Sequence, residues 1–303
     1  MSSVVPSHAV GHDQIGLVRS FHRTVTDRVG ALHDEYLARG RPLGASRLLW
    51  EIGHGDGDTR RLRARLGLDS GYLSRLLRSL EAEGLVELDD HPGDGRRRIA
   101  RLTAAGRTEH TELDSASDDL ARAVLEPLVE TDRTRLVDAM RTVERLITAG
   151  LVSIAVEDPD GAAARHCLES YAAELDDRFD TGFDVGAARP VGVDDLRPPD
   201  GLLLVARLRE TPVGCGALKL VDPAFAEIKR VWVDGSARGL GLGRRLLAAL
   251  EAEALEHGHH VVRLDTNAAL HEAIALYRST DYVEIERFND EPYAHHWFEK
   301  ALG

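Results

Sequence analysis

Residues 233–254 read VDGSARGLGLGRRLLAALEAEA, a run in which three alternating glycines lead directly into an amphipathic helix. Glycine lets the main chain approach a ligand without interference from a Cβ atom. The first amides of a helix lie at the positive end of its dipole, where phosphate groups bind, and neighbouring arginines add charge-assisted hydrogen bonds. The stretch therefore predicts a diphosphate-binding turn made by Arg238, Gly239, Leu240, Gly241, Gly243 and Arg244.

Two common nucleotide-binding motifs do not fit this turn. A dinucleotide-binding GxGxxG motif would need glycine at position 244 or 246, where the chain has Arg244 and Leu246. A P-loop would need lysine and then serine or threonine after its last glycine, but two arginines follow Gly243. The remaining interpretation is a strand, a glycine turn and a helix from another phosphate-binding fold.

The sequence around the turn alternates between short apolar runs and helical stretches. The apolar runs LVSIAVED, GLLLVARL, VGCGALKL and EIKRVWV are typical of strands, and helices are predicted over residues 161–175, 242–257 and 270–279. This mixture predicts an α/β domain over residues 151–303.

These residues resemble the GNAT acyltransferase superfamily, whose acetyl-CoA loop has Arg or Gln, two variable residues, Gly, one variable residue, and Gly or Ala. Arg238, Gly241 and Gly243 fill the three defined positions. The resemblance extends from about residue 151 to residue 300 and implies a mixed-sheet GNAT fold with acetyl-CoA as acetyl donor. It also implies that Val231 and Val233, at a bulge in the central strand, present N–H groups to the pantetheine and the thioester carbonyl.

The segment LDTNAALHEAIALYRSTDY (264–282) resembles the closing strand and helix of the same family. The resemblance implies that Asn267 contacts the cofactor arm and that Tyr277 protonates the departing CoA thiolate. Asp281 departs from the family pattern, which usually has glycine at this position, so the local turn is expected to differ.

Acetylation of an amine requires a base, because an alkylammonium group has a pKa of about 10 and must lose a proton before it attacks. Glu227 lies eleven residues before Arg238, a spacing that resembles the catalytic glutamate of the histone-acetylating branch. We expect Glu227 to accept the amine proton. The alternative is that Glu227 only forms an ion pair with Lys229 or Arg230.

The acceptor-binding segment is expected at ELDDRFDTGFD (174–184), where this superfamily usually builds its acceptor wall. Its clustered carboxylates would attract a cationic amine or would simply form a solvated surface. They are Asp176, Asp177, Asp180 and Asp184.

No metal site and no disulfide are expected. The pairs His259-His260 and His295-His296 are read as strand residues, and adjacent residues on a strand point to opposite faces. The two cysteines, Cys167 and Cys215, lack a CxxC spacing and are interpreted as small packing residues.

The first half of the chain is mainly helical. Apolar residues recur every three or four positions from Ile15 to Tyr36 and predict a long helix over residues 13–39. Shorter helices are predicted over residues 44–52, 59–66 and 70–83, bounded by Asp58, Gly67, Asp69 or Ser70, and Gly84. The short break GLDS between the last two helices is typical of a helix-turn-helix.

The last of these helices has a leucine face and an open polar face. Polar side chains near a helix N-terminus, followed by arginines, match base edges and phosphates, although a solvated face has the same composition. The predicted DNA contacts on this helix are Ser70, Tyr72, Ser74, Arg75 and Arg78.

The next stretch, LVELDDHPGDGRRRIARLT (85–103), predicts a β-hairpin that turns at HPGDG. Arg96, Arg97 and Arg98 lie near its tip, where arginines can enter a minor groove. A basic hairpin directly after a recognition helix predicts a winged helix-turn-helix.

This half resembles the MarR family of dimeric bacterial regulators over residues 12–150. The residues that carry the resemblance are GYLSRLLRSLEAEGLVE and DGRRRIARLTAAG, with Asp94, Arg96 and Thr103 matching the wing signature. The resemblance implies a homodimer formed by residues 13–39 and 108–148. It also implies that double-stranded DNA is read at inverted repeats.

Composition agrees with two domains, residues 1–150 and 151–303, in a chain of 303 residues. The net charge is −13, of which −2 falls in residues 1–150, while residues 60–101 carry +3. A basic region in an acidic protein favours a local polyanion contact. The start of the chain lacks the pattern of a signal peptide and no apolar run is long enough to span a bilayer, which predicts a cytoplasmic protein without membrane contact.

The sequence thus predicts a MarR-like regulator fused to an N-acetyltransferase that moves acetyl from acetyl-CoA directly to an amine of a small molecule or protein. Two alternatives stay open. The GNAT fold could only sense acetyl-CoA or a metabolite for a regulator, or the winged helix could only dimerise an enzyme.

Overall fold

A computed structural model describes residues 11–31, 36–55, 57–91, 94–180, 182–184, 192 and 194–303, with the side chains at 91 and 94–97 left out. The chain divides into two compact units, Met1–Leu136 and Val137–Gly303. This division lies inside a helix, Glu130–Gly150, whose last residue is the domain boundary predicted from sequence.

The N-terminal unit is built from helices and one hairpin. Its elements are α1 (His12–Arg28), α2 (Leu43–His54), α3 (Thr59–Leu66), α4 (Ser70–Ala82), β1 (Val86–His91), β2 (Asp94–Leu102), α5 (Ala104–Leu125) and the start of α6 (Glu130–Gly150).

The first helix is shorter than predicted. It ends at Arg28, because Gly30 adopts a left-handed conformation (φ 64°) through which a right-handed helix cannot continue. The predicted continuation to residue 39 is therefore wrong, and residues 32–35 lie outside the described part of the chain. The apolar side chains Ile15, Val18, Phe21 and Val25 are all more than 40% exposed in the single chain.

The helix-turn-helix forms as the sequence predicts. The Asp58 carboxylate accepts hydrogen bonds from the amides of Arg60 and Arg61 and begins α3, which ends at left-handed Gly67. Asp69 caps α4 by accepting from the amide of Tyr72 at 2.8 Å. The predicted leucine face of α4 is buried against α2 and α3: Leu73, Leu76, Leu77 and Leu80.

An ion pair between an exposed arginine and a buried carboxylate joins α3 to α2. Glu51, 4% exposed, lies on α2, and its carboxylate is 2.7 Å from Nε of Arg65 on α3. Arg47 contacts the other carboxylate oxygen at 2.5 Å. The predicted hairpin follows, with β1 and β2 paired antiparallel from Val86↔Leu102 onward.

The C-terminal unit is a mixed seven-stranded sheet with helices on both faces. After α6 its elements are β3 (Val152–Val156), α7 (Ala162–Arg178), β4 (Gly201–Leu208), β5 (Thr211–Lys219), β6 (Ala226–Val233), α8 (Leu242–Glu256), β7 (Val261–Thr266), α9 (His271–Arg278), β8 (Val283–Ile285) and β9 (His296–Ala301). The strand order is β3-β4-β5-β6-β7-β9-β8, which places β6 at the centre.

The nearly continuous apolar sequence of β4 follows from burial on both faces. On one face, α7 packs its Ala164 and Cys167 against Cys215 and Trp232. On the other face, α8 packs a row of leucines that includes Leu246 and Leu250. Both cysteines are buried with free thiols, which agrees with their interpretation as packing residues.

No helix among the described residues has a stretch long and apolar enough to cross a membrane.

Candidate active site and DNA-binding face

The central strand leaves its neighbour after a short contact. β6 pairs parallel with β7 only at Ala226↔Val262 and Glu227↔Arg263. Beyond Glu227 the two strands have no further paired residues, so the edge of β6 facing β7 is open.

An irregularity in β6 lies at the point of divergence. Arg230 has a positive φ of 54°, and the register with β5 shifts between Cys215 and Ala217. Just after β6, the N–H of Asp234 donates to the carbonyl of Val213 in β5 at 2.9 Å. Because successive N–H groups of a strand alternate in direction, those of Val233 and Val231 point to the opposite side, toward the opening.

The glycine turn lies between β6 and α8. Gly239 and Gly241 both have left-handed backbones (φ 78° and 72°), a conformation that glycine adopts at low cost. Gly241 is the N-cap of α8 and offers no side chain to the first amides of the helix, which have no acceptor within the helix. Gly243 has another role, since a Cβ there would lie 2.9 Å from Cδ2 of Leu276 on α9.

The two arginines of the turn are held by protein groups. Arg238 donates from Nη2 to both carboxylate oxygens of Glu174 at 2.6 Å and from Nε to the carbonyl of Val233. Arg244 donates to the carbonyl and hydroxyl of Ser279. The guanidinium of Arg238 is thus held against α7, and that of Arg244 against the residue that follows α9.

A cavity of about 320 Å³ extends from the diverging strands into the space between α7, α9 and the loop before β9. This volume is typical of a small-molecule site. Near the strands it is lined by Val231, Thr266, Asn267, Ala273 and Tyr277, and further out by Tyr171, Phe179, Phe183, Glu291 and Tyr293.

Tyr277 on α9 is 6% exposed and contributes to the cavity wall. Burial, and then the nearby charge of Asp265, raise the pKa of Tyr277 well above its ordinary value. Its ring packs against Tyr282 and Phe298, with centroid distances of 5.9 and 5.7 Å. The phenol therefore stays protonated at neutral pH, next to the space where the strands open.

Asn267 follows β7 and fixes the loop around it. Its Nδ2 donates to the carbonyl of Tyr293 at 2.7 Å, and its Oδ1 accepts from the amide of Ala269 at 2.8 Å. The first bond joins the loop after β7 to the segment that carries Tyr293, and the second holds the loop itself in shape.

Glu227 lies in a buried charge cluster next to the cavity. Its carboxylate is 3.3 Å from Nζ of Lys229 and accepts from Nδ2 of Asn289 at 2.9 Å. Lys229 also contacts Asp265 at 2.5 Å and Glu291 at 3.7 Å. Burial lowers the pKa of Lys229, but the charges of Asp265 and Glu227 outweigh it, and the net shift is upward. Glu227 therefore forms the ion pair with Lys229 that was the alternative to a catalytic role. The carboxylates among the residues that line the cavity are Glu169, Asp265 and Glu291.

The acceptor segment contributes aromatic rings to the cavity rather than carboxylates. Phe179 and Phe183 pack edge-to-face at 5.9 Å, and Tyr293 lies 5.8 and 5.0 Å from these two rings. The four aspartates are exposed instead, and none of them is among the residues around the cavity: Asp176, Asp177, Asp180 and Asp184. The sequence interpretation considered only the charges of this segment, and it could not show that Tyr293, from a distant loop, packs against Phe179 and Phe183.

The turn at Asp281 keeps the conformation that glycine would have. Asp281 has φ 67°, and aspartate tolerates this region better than most residues. The departure from the family pattern therefore leaves the turn in place.

The N-terminal unit presents the predicted polar face of α4 to solvent. Ser70, Tyr72, Ser74, Arg75 and Arg78 are all exposed. The guanidinium carbon of Arg75 lies 5.7 Å from the centre of the Tyr72 ring. On the wing, Arg98 is exposed and donates to the carbonyl of Leu88, while the side chains of Arg96 and Arg97 lie outside the described part.

Comparison with known proteins identifies both halves. The family model described as acetyltransferase (GNAT) family matches residues 165–282, and a MarR family model matches residues 40–97. The IAA acetyltransferase of Azospirillum brasilense is 34% identical over 134 residues, which cover 44% of this chain and 85% of that protein.

Solved structures resemble each half separately. An acetyltransferase of the GNAT family from Staphylococcus aureus is 17% identical, covers 50% of this chain and 99% of its own, and has a TM-score of 0.44. Sco3205, a MarR family transcriptional regulator from Streptomyces coelicolor in complex with DNA, is 23% identical, covers 48% and 91%, and has a TM-score of 0.39. The chain belongs to the GNAT acetyltransferase family, and its N-terminal half carries a MarR-family winged helix-turn-helix region.

Proposed function

We propose that the C-terminal unit transfers acetyl from acetyl-CoA directly to the amine of a small molecule, and that the N-terminal unit binds DNA as part of a homodimer. The observation that supports the enzyme most is the cavity. It runs from the open edge of β6, past Tyr277, to an aromatic wall.

The glycine turn fits the diphosphate of acetyl-CoA. The first amides of α8 have no intrahelical acceptor, Gly241 offers them no side chain, and Arg238 and Arg244 belong to the same segment of the chain. Along the opening, the N–H of Val231 or Val233 would donate to the thioester carbonyl and stabilise the oxyanion. Asn267 would position the arm of the cofactor.

The reaction needs two proton movements. The amine nitrogen attacks the thioester carbon, a C–N bond forms and the C–S bond breaks. Glu227 would accept the amine proton, with Asp265 at the cavity wall passing it on, and Tyr277 would give its phenolic proton to the thiolate. Since no motif or contact activates a serine or cysteine as nucleophile among the described residues, the transfer is direct.

The aromatic side of the cavity, formed by Phe179, Phe183 and Tyr293, favours an amine that carries an aromatic or apolar group. Phe179, Phe183 and Tyr293 offer ring faces, which attract organic cations, and Asp265 and Glu291 supply negative charge. A release assay for CoA would compare an arylalkylamine, a polyamine and a lysine peptide. We expect the arylalkylamine to have the highest kcat/KM. Release with none of them would contradict amine acetylation, whereas equal release would contradict only the small aromatic acceptor.

Gly241→Ala is expected to weaken acetyl-CoA binding about tenfold or more, because alanine at φ 72° costs about 1–2 kcal/mol and displaces the helix amides. Calorimetric titration of acetyl-CoA measures the Kd. Gly258→Ala is the matched control, since Gly258 has φ 85° at the other end of α8 and open space around it. Equal Kd values for the two variants would exclude the turn as the diphosphate site.

DNA binding is supported by the MarR family match and by the exposed polar face of α4. The exposed apolar side chains of α1, together with Met140, Leu146 and Ile147 on α6, favour burial against a second copy of the chain. A symmetric dimer would place two recognition helices on an inverted repeat.

Arg75→Ala is expected to weaken binding to a pool of genomic fragments about tenfold and to reduce the salt dependence of binding. Arg122→Ala, an exposed arginine paired with Asp119 on α5, should bind as the unchanged protein does. Affinities come from fluorescence anisotropy at several salt concentrations. If neither the unchanged protein nor the control binds DNA, the winged helix serves dimerisation only.

A further inference from the structure

Two histidines and an aspartate meet where the C-terminal end of α2 packs against α5. Nδ1 of His54 lies 3.0 Å from Nε2 of His110. Nδ1 of His110 is 3.8 Å from Oδ2 of Asp114, one helical turn further along α5. One potential ligand atom from each of the three residues lies within 4.8 Å of the other two. Among the described residues, these three form the group of histidine, cysteine and acidic side chains that are close enough together to hold a metal ion.

The spacing fits a small transition-metal ion. Two imidazole nitrogens bound to one tetrahedral zinc ion at about 2.0–2.1 Å are about 3.3 Å apart. The two histidine nitrogens are already close to that distance. Nδ1 of His54 also lies 3.1 Å from the carbonyl of Trp50, and an ion at this nitrogen would replace that contact after a rotation of the ring. The carboxylate of Asp114 can complete a three-ligand set, and the exposed side of His54 leaves a further position for water.

The surroundings hold these side chains in place. Nε1 of Trp50 donates to Oδ1 of Asp114 at 2.7 Å, which fixes the carboxylate and leaves its second oxygen 3.8 Å from Nδ1 of His110. The His54 ring stacks on Trp50 with a centroid distance of 3.8 Å. Such hydrogen bonds to ligand residues are typical of metal sites, because they orient the ligands before the ion binds.

Gly53 makes the approach of the two helices possible. A Cβ atom at this position would lie 2.3 Å from Cδ2 of His110. Gly53 lies within α2, so glycine is needed here because a side chain would collide with His110, and not because of its backbone conformation. α2 and α5 therefore come close enough to bring His110 next to His54.

We propose that His54, His110 and Asp114 bind a divalent transition-metal ion of the zinc class in the N-terminal unit. Two imidazoles and one carboxylate favour Zn²⁺, Co²⁺ or Ni²⁺ over Mg²⁺ and Ca²⁺, which prefer oxygen ligands. The site is separate from the acetyl-transfer cavity, which lies in the other unit. The ion joins the end of α2 to α5, and α2 also holds α3 through Glu51 and Arg65.

The test uses the full-length protein, stripped of metal with a chelator and titrated with Co²⁺ and then Zn²⁺. We expect one Co²⁺ per chain with visible ligand-field absorption, displacement by Zn²⁺, and a higher unfolding temperature in the presence of Zn²⁺. Mg²⁺ in the same titration should give no stabilisation.

Variants decide whether these residues bind the ion. His54→Ala, at an exposed helix end, and Asp114→Asn, which keeps the acceptor for Trp50, should each weaken Co²⁺ binding at least tenfold. His22→Ala, an exposed histidine on α1, should have no effect. Unfolding curves without metal show whether each variant is folded. The proposal is overturned if the unchanged protein binds no Co²⁺ at micromolar concentration, or if the two ligand variants bind it as tightly as the control.

Discussion

Replacement of Tyr277 by phenylalanine is expected to lower kcat by about 10²–10⁴-fold while the Kd of acetyl-CoA stays unchanged. The variant removes the phenolic proton but keeps the ring, so the packing against Tyr282 and Phe298 is retained. Because burial and the charge of Asp265 raise the pKa of Tyr277, the phenol carries its proton over the whole neutral range and can protonate the thiolate in each turnover.

The matched control is Tyr282→Phe. Tyr282 is also buried, lies next to Tyr277, and donates its hydroxyl to Glu251 at 3.0 Å. We expect this variant to lose some stability and to keep its kcat. Steady-state kinetics and calorimetric titration of acetyl-CoA measure both quantities, and a normal kcat in Tyr277→Phe would contradict its assignment as the proton donor.

Replacement of Glu227 by glutamine is expected to lower kcat about 10²-fold or more while the Kd of acetyl-CoA stays unchanged. Glutamine keeps the shape and can still accept from Asn289, but it cannot take up the amine proton. Lys229 retains Asp265 and Glu291 as partners, so the cluster is not left with an unpaired cation.

Asp265→Asn distinguishes the role of Asp265 from that of Glu227, because Asp265 lines the cavity whereas Glu227 contacts Lys229 and is not among the lining residues. If Asp265→Asn lowers kcat to this extent and Glu227→Gln does not, Asp265 is the base and the assignment of Glu227 is wrong. Glu251→Gln is the control, because Glu251 is similarly buried and also pairs with a lysine, Lys300, at 2.8 Å. It should leave kcat unchanged.

Local signals allowed much of the fold to be predicted from the sequence. Asp58 and Gly67 bound α3 at the predicted residues, since a cap acts on the amides next to it. The end of α1 was missed because its apolar spacing continues past Gly30, whose left-handed backbone cannot continue the helix. Periodicity measures which side chains could share a face, and it does not show where a glycine stops the helix.

The parts that could not be predicted depend on long-range packing. His54 and His110 are 56 residues apart, and only the contact between α2 and α5 joins them. The sequence drew attention instead to the adjacent pairs His259-His260, just before β7, and His295-His296, at the start of β9, for which no metal role was expected. The aromatic wall has the same origin, because Tyr293 reaches Phe179 and Phe183 only after β7 and the final loop are in place.

Because β6 separates early from β7, part of one edge of β6 is unpaired in the middle of the sheet. An unpaired edge on the outside of a sheet promotes aggregation, because strands of other chains can pair with it. Here β5 on one side and the β7–β9 ladder on the other shelter it. In the function that we propose, the arm of acetyl-CoA would use the main-chain donors of this edge.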